Sequence, residues 1–411
     1  MTFGTTMIRV WSDRTEAGFL DVRGERGSTF AYHPRVPAQR AVSLTMPVRI
    51  ESWDMAYGLA PIFEMNLPEG ALRERLRLVF AKTTGSFSDF DLLSIVGRSQ
   101  IGRLRHTGAD EPLDEQVPFQ SVQEILAEKD GESLFQYLLE RFAPVSGLSG
   151  VQPKLLIRDD AAIGRPTLED RTSIRGATHI VKFWENEYPE LAANEFFCLR
   201  AAERCGLKVP GFQLSNDGKA LVVDRFDLRD DGNYRGFEDF AVLNARGTGE
   251  KYQGSYETAI LKRFRQFAGE ETIHDGAERL FALVALNCAV RNGDAHLKNF
   301  GMVYDDPEGQ AELAPVYDVV TTAAYVPVDT MALTLDGSKQ WPSVDQLRAF
   351  AENRQIAAPA RIREILDRIC AALSDTIADI EAYAIERPQF KDIGARMIAL
   401  WREGMPRAGA I

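Results

Sequence analysis

The sequence has few of the residues that commonly hold metal or disulfide-stabilised domains together. Its 411 residues include only four cysteines and five histidines. No two cysteines form a C-x-x-C pair and the histidines are scattered, so no zinc site of ordinary spacing is predicted. We expect Cys198, Cys205, Cys288 and Cys370 to be reduced thiols in the core.

The sequence also lacks an excess of positive charge and a long apolar run. Its net charge is −12 and its pI is about 5.1, which argues against a broad basic surface that binds nucleic acid by itself. The longest apolar run, Leu280 to Val290, is too short to span a bilayer, which takes about 20 residues. Asp13, Arg14 and Glu16 come before any apolar signal region could form. These features predict a cytoplasmic protein without membrane contact.

The composition that remains is typical of a soluble globular protein. Hydrophobic residues make up 45% of the chain and charged residues 26%, so a large core is possible. At roughly 100–200 residues per domain, the length predicts two or three units. The alternating apolar residues of 41–50 predict a strand, and helical periodicity dominates from about Arg225 onward. The acidic, turn-rich stretch 108–118 is a candidate linker.

The most informative motif is the stretch 291–300, RNGDAHLKNF. Asp294 and Asn299 lie five residues apart after an apolar helix, which is the spacing of a protein-kinase catalytic loop. Phosphoryl transfer needs a carboxylate at the nucleophile's hydroxyl and an oxygen ligand for Mg²⁺ close by, and a short loop can present both. Taken alone, Asn-Gly-Asp is more often a simple turn.

A second acid follows nineteen residues after Asn299, in the stretch 315–320, PVYDVV. Asp318 lies between apolar residues that read as a strand, where burial of a lone carboxylate would be costly. A hard cation would remove that cost, so Asp318 suits a magnesium ligand. The alternative is that Asp318 caps a neighbouring helix.

Three further features are consistent with a nucleotide site. Lys182, on the predicted strand 179–184, HIVKFW, could reach phosphates, although an outward lysine on an edge strand is equally plausible. Glu195 on the following helix could pair with Lys182 or be a solvated charge. The loop from Ser146 to Lys154, with two glycines and two serines, could present backbone N–H groups to an anion, but such loops are usually flexible connectors.

Together these segments resemble the HipA family of toxin kinases over nearly the whole chain. The matching motifs are LPEG at 67–70, SGVQPK at 149–154, HIVK at 179–182, NE at 194–195, VDRFD at 223–227, NGDAHLKN at 292–299 and PVYD at 315–318. Single motifs are modestly specific, but their order and spacing are strongly so.

The resemblance implies an α+β, bilobal protein-kinase-like fold preceded by a small α+β N-terminal module. The implied units are an N-terminal module at 1–106, a kinase N-lobe at 107–224 with the ATP-binding strands, and a helical C-lobe at 225–411. It implies a serine/threonine protein kinase that uses ATP and Mg²⁺ and acts as the toxin of a toxin–antitoxin pair. The implied partners are a helix-turn-helix, HipB-like antitoxin, DNA reached through it, and an aminoacyl-tRNA synthetase as a protein substrate.

The resemblance also implies roles for individual residues. Asp294 would be the catalytic base, Asn299 and Asp318 the magnesium ligands, and Lys182 a catalytic contact to ATP phosphate. The segment Asp224–Phe226 would be the adenine hinge. The nucleotide-binding set it implies is Ser149, Gly150, Val151, Lys154, Lys182, Asp224, Phe226, His296, Asn299 and Asp318.

The sequence departs from the family at one regulatory position. Many relatives have an autophosphorylated serine three residues before the glycine that Gly150 matches, and here that position is Gly147. Ser149 is therefore the first candidate for autophosphorylation and Ser146 the second.

Two other interpretations remain open at the level of sequence. A small-molecule kinase of the aminoglycoside or choline type also uses a Gly-Asp-x-x-x-x-Asn loop and a distant aspartate, but lacks an N-terminal module like residues 1–106. A kinase-shaped co-repressor without catalysis, acting with a DNA-binding antitoxin, is the third possibility.

Overall fold

The computed structural model describes residues 7–23, 27–84, 87–113, 116–128, 131–150, 152–159, 176–183 and 187–405. The chain forms two compact units, each built from several separate segments. The first contains residues 1–183, 211–249 and 303–311, and the second contains 184–210, 250–302 and 312–411. Across the described residues, no helix is both long and apolar enough to span a bilayer.

The first unit begins with a five-stranded antiparallel sheet. In sheet order its strands are Trp53–Met55, Gly27–Tyr32, Thr15–Arg23, Met7–Ser12 and Leu104–Gly108. Alternate residues of the first strand, Ile8 and Val10, are fully buried, as the period-two pattern of a strand requires. Helices Pro61–Glu64, Gly70–Thr84 and Asp89–Val96 follow in the same part of the unit.

The predicted strand at 41–50 was wrong. Only an isolated bridge between Ser43 and Met46 forms there. The backbone N–H groups of Val42 and Leu44 are bonded instead by the side chains of Tyr32 and Glu238, at 2.9 and 2.7 Å. The apolar alternation therefore reflects packing of an irregular segment.

The first unit also contains a second, four-stranded antiparallel sheet. Its strands, in sheet order, are Lys154–Ile157, His179–Phe183, Ala220–Asp224 and Phe212–Leu214. The strand that carries Lys182 is thus an interior strand. Helices Val122–Ala127, Gly131–Phe142 and Phe240–Leu243 and strand Gly236–Asp239 complete the regular elements of this unit among the residues described.

The second unit is mostly helical, as the periodicity after Arg225 predicts. Its helices are Leu191–Arg204, Lys262–Phe267, Ile273–Ala289, Val344–Asn353, Pro359–Glu386 and Lys391–Gly404, with a π-helical turn at Tyr256–Leu261. Short strands occur at Gly301–Tyr304, which ends in the first unit, and at Glu312–Leu313. Apolar residues at helical spacing, such as Ile362, Ile369 and Trp401, are fully buried.

Candidate active site

The candidate catalytic loop begins where the buried helix Ile273–Ala289 ends. Arg291 takes a left-handed conformation with φ of 57°, which turns the chain sharply. Asn292 then fixes the loop to the helix, because its N–H donates to Asn287 O at 2.9 Å and its Nδ2 to Asn287 Oδ1 at 2.7 Å. The Oδ1 of Asn292 accepts from the Asp294 N–H at 3.1 Å. These hydrogen bonds fix the loop, and Asp294 with it, to the end of the helix.

The loop brings Asp294 and Asn299 together as their spacing predicts. Asn299 Nδ2 donates to the backbone oxygen of Asp294 at 2.8 Å. The same oxygen accepts from the N–H of His296 at 2.7 Å. The Asp294 carboxylate is half exposed, with a side-chain exposure of 51%, so an acceptor hydroxyl can reach it.

His296 lies in the middle of this cluster and is buried. Burial lowers the pKa of its imidazole to about 4, and Lys251 and Lys298 act in the same direction while Asp294 and Asp318 oppose it. The ring is therefore neutral at pH 7. Tyr317 Oη donates to Lys298 O at 3.0 Å, so the segment that carries Asp318 lies beside the loop.

Asp318 is half-buried and lies in a segment without regular secondary structure, so the strand expected around it does not form. Its φ is 52°, a left-handed conformation that aspartate tolerates better than most residues. Buried Val316 and Val319 hold the segment on either side. Just beyond it, Thr321 N donates to Asn194 Oδ1 at 2.9 Å, which fixes the segment to helix Leu191–Arg204.

Asn299 and Asp318 have the chemistry of magnesium ligands. Because the Nδ2 of Asn299 is bonded to Asp294 O, its Oδ1 points to the other side of the amide. An amide oxygen and a carboxylate are hard oxygen ligands, and Mg²⁺ commonly takes one or two of these while keeping several waters. The residues present therefore fit a magnesium ion.

In the first unit, Lys154 and Lys182 lie directly opposite each other on neighbouring strands. Both are buried, with exposures of 6% and 3%, so the outward edge-strand position considered for Lys182 was wrong. Like charges in direct cross-strand register repel each other, and a nearby anion relieves that repulsion. This pair is suited to bind phosphate oxygens.

The loop that precedes Lys154 approaches the side chain of that lysine closely. Gly150 has φ of 120°, which only glycine adopts readily, and a Cβ there would lie 2.7 Å from Lys154 Nζ. Ser149 Oγ donates to Glu69 Oε1 at 2.6 Å. Ser146 is fully buried, with its Oγ donating to Phe142 O at 2.8 Å and accepting from Leu156 N at 2.9 Å. Val151 lies outside the described residues.

Gly147 is tightly enclosed. A Cβ at this position would lie 2.5 Å from Gln100 Cγ and 2.7 Å from Ser99 O, and its N–H already donates to Ser99 O at 2.8 Å. A serine would not fit at position 147 without a shift of the backbone. Glycine, rather than the serine of many relatives, thus occupies position 147, where the loop contacts residues 99–100 closely.

The expected adenine hinge follows the strand Ala220–Asp224. The Oδ1 of Asp224 lies 3.1 Å from the Nε2 of buried His179. Arg225 and Asp227 form a fully buried pair, Nη2 to Oδ2 at 2.6 Å, and Arg225 also donates to Gln100 O at 2.8 Å. Phe226 packs edge-on against Phe237 at 5.3 Å. The side chains of the segment 224–227 thus contact other parts of the first unit.

The sequence reasoning missed two residues of this region, Tyr252 and Asp329, and gave two alternatives for a third, Glu195. Glu195 is fully buried, so the solvated helix charge considered for it was wrong. Tyr252 donates from its Oη to Asp294 Oδ1 at 2.6 Å. Asp329 accepts from Thr322 Oγ1, whose hydroxyl oxygen in turn accepts from Gly293 N at 2.6 Å. No motif marks the last two, since their partners are far away in the sequence.

Comparison with known proteins agrees with this architecture. Residues 8–107 match the family model of the HipA N-terminal domain, and residues 146–377 match that of the HipA-like C-terminal domain. Y4dM of Sinorhizobium fredii, named as a candidate kinase, is 28% identical over 76% of this chain and 75% of its own length. Y4mE of the same organism, named likewise, is 27% identical over 82% of this chain and 83% of its own.

A solved structure has the same fold. HipA of Shewanella oneidensis MR-1, determined in complex with HipB and operator DNA, aligns with a TM-score of 0.66 at 20% identity, covering 96% of this chain and 97% of that one. The α+β, kinase-like fold predicted from the sequence is thereby confirmed. With both domain models matched along its length, the chain belongs to the HipA family.

Proposed function

We propose that this chain is an ATP- and Mg²⁺-dependent serine/threonine protein kinase that acts as the toxin of a toxin–antitoxin pair. The observation that carries the proposal is that Asn299 bonds to Asp294, and Tyr317, next to Asp318, bonds to Lys298 of the same loop, in a HipA-family chain. A base, an amide ligand and a carboxylate ligand are the minimum that kinase chemistry requires.

Each residue has a role that follows from its chemistry. Asp294 accepts the proton of the acceptor hydroxyl as general base. Asn299 and Asp318 hold Mg²⁺, which when bound neutralises charge on the phosphates. Lys154 and Lys182 supply positive charge to phosphate oxygens. His296, neutral at pH 7, adds a polar group without adding charge beside the base.

The proposed partners follow from family membership. The Shewanella relative was solved with HipB and operator DNA, so we propose a HipB-like, helix-turn-helix antitoxin for this chain, with DNA bound through it. The net charge of −12 agrees with indirect binding. A component of translation, such as an aminoacyl-tRNA synthetase, is the proposed protein substrate.

Two measurements test the proposal. Calorimetry should show tighter ATP binding in magnesium than in EDTA, because Asn299 and Asp318 contribute only through the metal. Asp294→Asn should keep ATP affinity and thermal stability while phosphoryl transfer falls by about 10²–10⁴, the usual scale for loss of a general base.

The matched control is Asp345→Asn, since that carboxylate is 85% exposed, pairs with Arg348 on its own helix and should not affect transfer. Equal ATP affinity in magnesium and EDTA would remove the metal role. Wild-type transfer by Asp294→Asn would show that another group is the base.

A further inference from the structure

Tyr252 makes the shortest described side-chain contact to the proposed base. Its Oη donates to Asp294 Oδ1 at 2.6 Å, and its ring lies edge-on against His296 with 5.0 Å between centroids. Hydrogen bonds to a charged acceptor are shorter and stronger than those between neutral groups. The phenol therefore restrains one oxygen of the carboxylate.

The segment that carries Tyr252 is itself fixed to the catalytic loop. Lys251 O accepts from the N–H of Leu297 at 3.1 Å. Four residues after Tyr252, the hydroxyl of buried Tyr256 donates to Ala295 O at 3.1 Å. Anchors on both sides hold the phenol next to Asp294, although Tyr252 itself is 46% exposed.

The function of this contact is indicated by which carboxylate oxygen of Asp294 the hydroxyl of Tyr252 bonds. Oδ1, which Tyr252 bonds, is also the oxygen 3.9 Å from the Nε2 of buried His296, so it faces inward. An acceptor hydroxyl arriving from solvent would meet the other oxygen, Oδ2. Because rotation of a carboxylate about χ2 is soft, a donor on Oδ1 is an effective way to aim Oδ2.

We propose that Tyr252 is a positioning residue that orients the Asp294 carboxylate for phosphoryl transfer; this inference rests on the kinase function proposed above. The opposite possibility is that the phenol blocks the base by imitating an acceptor. The two make opposite predictions, since a blocking hydroxyl slows the reaction and an orienting one speeds it.

The test uses the full chain with Mg-ATP and myelin basic protein as a general acceptor, with ATP hydrolysis measured in parallel. Tyr252→Phe should lower kcat about ten- to hundredfold, the worth of a hydrogen bond to a charged group, while KM for ATP stays within about twofold. Tyr383→Phe, the same chemical change on helix Pro359–Glu386, should leave kcat unchanged. An unchanged or higher kcat for Tyr252→Phe would overturn the inference.

A double variant separates positioning from general structural damage. If Tyr252 acts through Asp294, adding Tyr252→Phe to Asp294→Asn should not lower the residual rate further. A further drop equal to that in the parent would mean that Tyr252 acts independently, which overturns the inference alone. A parent chain that neither transfers phosphate nor hydrolyses ATP would overturn the proposed function together with this inference.

Discussion

Backbone conformation at single residues determines where the side chains of the proposed active site lie. Arg291 and Asp318 both have positive φ, at 57° and 52°, a conformation that costs roughly 1–2 kcal/mol for an L-residue. Arg291 is held there because its carbonyl accepts from Ala323 N at 3.3 Å. The strain is thus compensated by a bond to the segment that follows Asp318.

Gly293 provides a test of this arrangement. A Cβ at this position would lie 2.1 Å from Asp329 Oδ1, so Gly293→Ala should push Asp329 or the loop aside. We expect the free energy of unfolding to fall by about 1–3 kcal/mol, as for overpacked sites, and transfer to fall with it. Chemical denaturation and a transfer assay measure both.

Gly249→Ala is the matched control, because a Cβ there has no neighbour within 4 Å. If Gly293→Ala were as stable and active as Gly249→Ala, the loop would have more room than the structure shows.

The sequence indicates some of these residues and not others, for a physical reason. Asp294 and Asn299 are five residues apart on one loop, so their spacing alone suggests that they meet. Tyr252 lies 42 residues from Asp294, and no local pattern predicts such a contact. The burial of His296 and the enclosure of Gly147 likewise depend on packing between segments distant in sequence.

At the scale of elements, the loop from Ser146 to Lys154 is the clearest candidate for control by phosphorylation. We expect mass spectrometry after incubation with Mg-ATP to find phosphate on Ser149, and none in the Asp294→Asn protein. Ser146 serves as an internal control, because its fully buried hydroxyl bonds two backbone groups. An unmodified loop in an active enzyme would mean that this chain does not use the switch.

Glu69 makes the effect of such a phosphate testable. Phosphate would add about −1.5 to −2 charges where Ser149 Oγ now meets the Glu69 carboxylate, so the two would repel. Ser149→Asp should therefore weaken ATP binding in calorimetry, and adding Glu69→Gln should restore part of the affinity. No restoration would show that Glu69 is not the source of the repulsion.

Glu238 joins three elements of the first unit and gives a pH prediction. Its Oε1 accepts from Leu44 N and Tyr304 Oη, both at 2.7 Å, and its Oε2 from Ser43 Oγ at 2.7 Å. Burial raises the pKa of this carboxyl from 4.5 to about 7, against the lowering effect of these donors. The folded state therefore binds a proton that the unfolded chain releases.

Because this pKa is raised on folding, the stability contribution is full below about pH 4.5 and is lost as the pH rises to about 7. The difference is on the order of 3 kcal/mol. Urea unfolding at several pH values should show this slope in the parent and a flatter one in Glu238→Gln, which has no charge to bury. Parallel profiles would show that folding does not raise the pKa of Glu238.

The elements themselves were predicted unevenly. The strand predicted at 179–184 forms at His179–Phe183 among the residues described, and helices dominate the second unit as the periodicity after Arg225 predicts. The segment 41–50 alternates like a strand but bonds to side chains of Tyr32 and Glu238 instead. An alternating pattern indicates which residues are buried. It does not indicate which groups form hydrogen bonds with the backbone.

At the scale of the whole molecule, the proposed toxicity should require catalysis. Growth arrest on expression should disappear with Asp294→Asn and with Asp318→Asn alike. Asparagine is chosen at position 318 because it tolerates the φ of 52° that alanine would not. Expression levels are measured alongside, with Asp345→Asn as the control that still arrests growth.

Arrest by both inactive variants would favour the non-catalytic co-repressor over the kinase.

The expected unit boundaries after residues 106 and 224 stay a prediction, because the compact units of the structure are assembled from separated segments rather than consecutive ones.

That interleaving has a consequence for synthesis on the ribosome. The first unit includes Val303–Ala311, so it stays incomplete for seconds after Gly249 emerges, at the roughly 5–20 residues added per second in cells. Only then does Tyr304 reach Glu238. The second unit is completed still later, because Trp401 must first be synthesised to donate its Nε1 hydrogen bond to Thr321 Oγ1 at 2.8 Å. The second unit of a nascent chain is therefore not complete until helix Lys391–Gly404 has emerged.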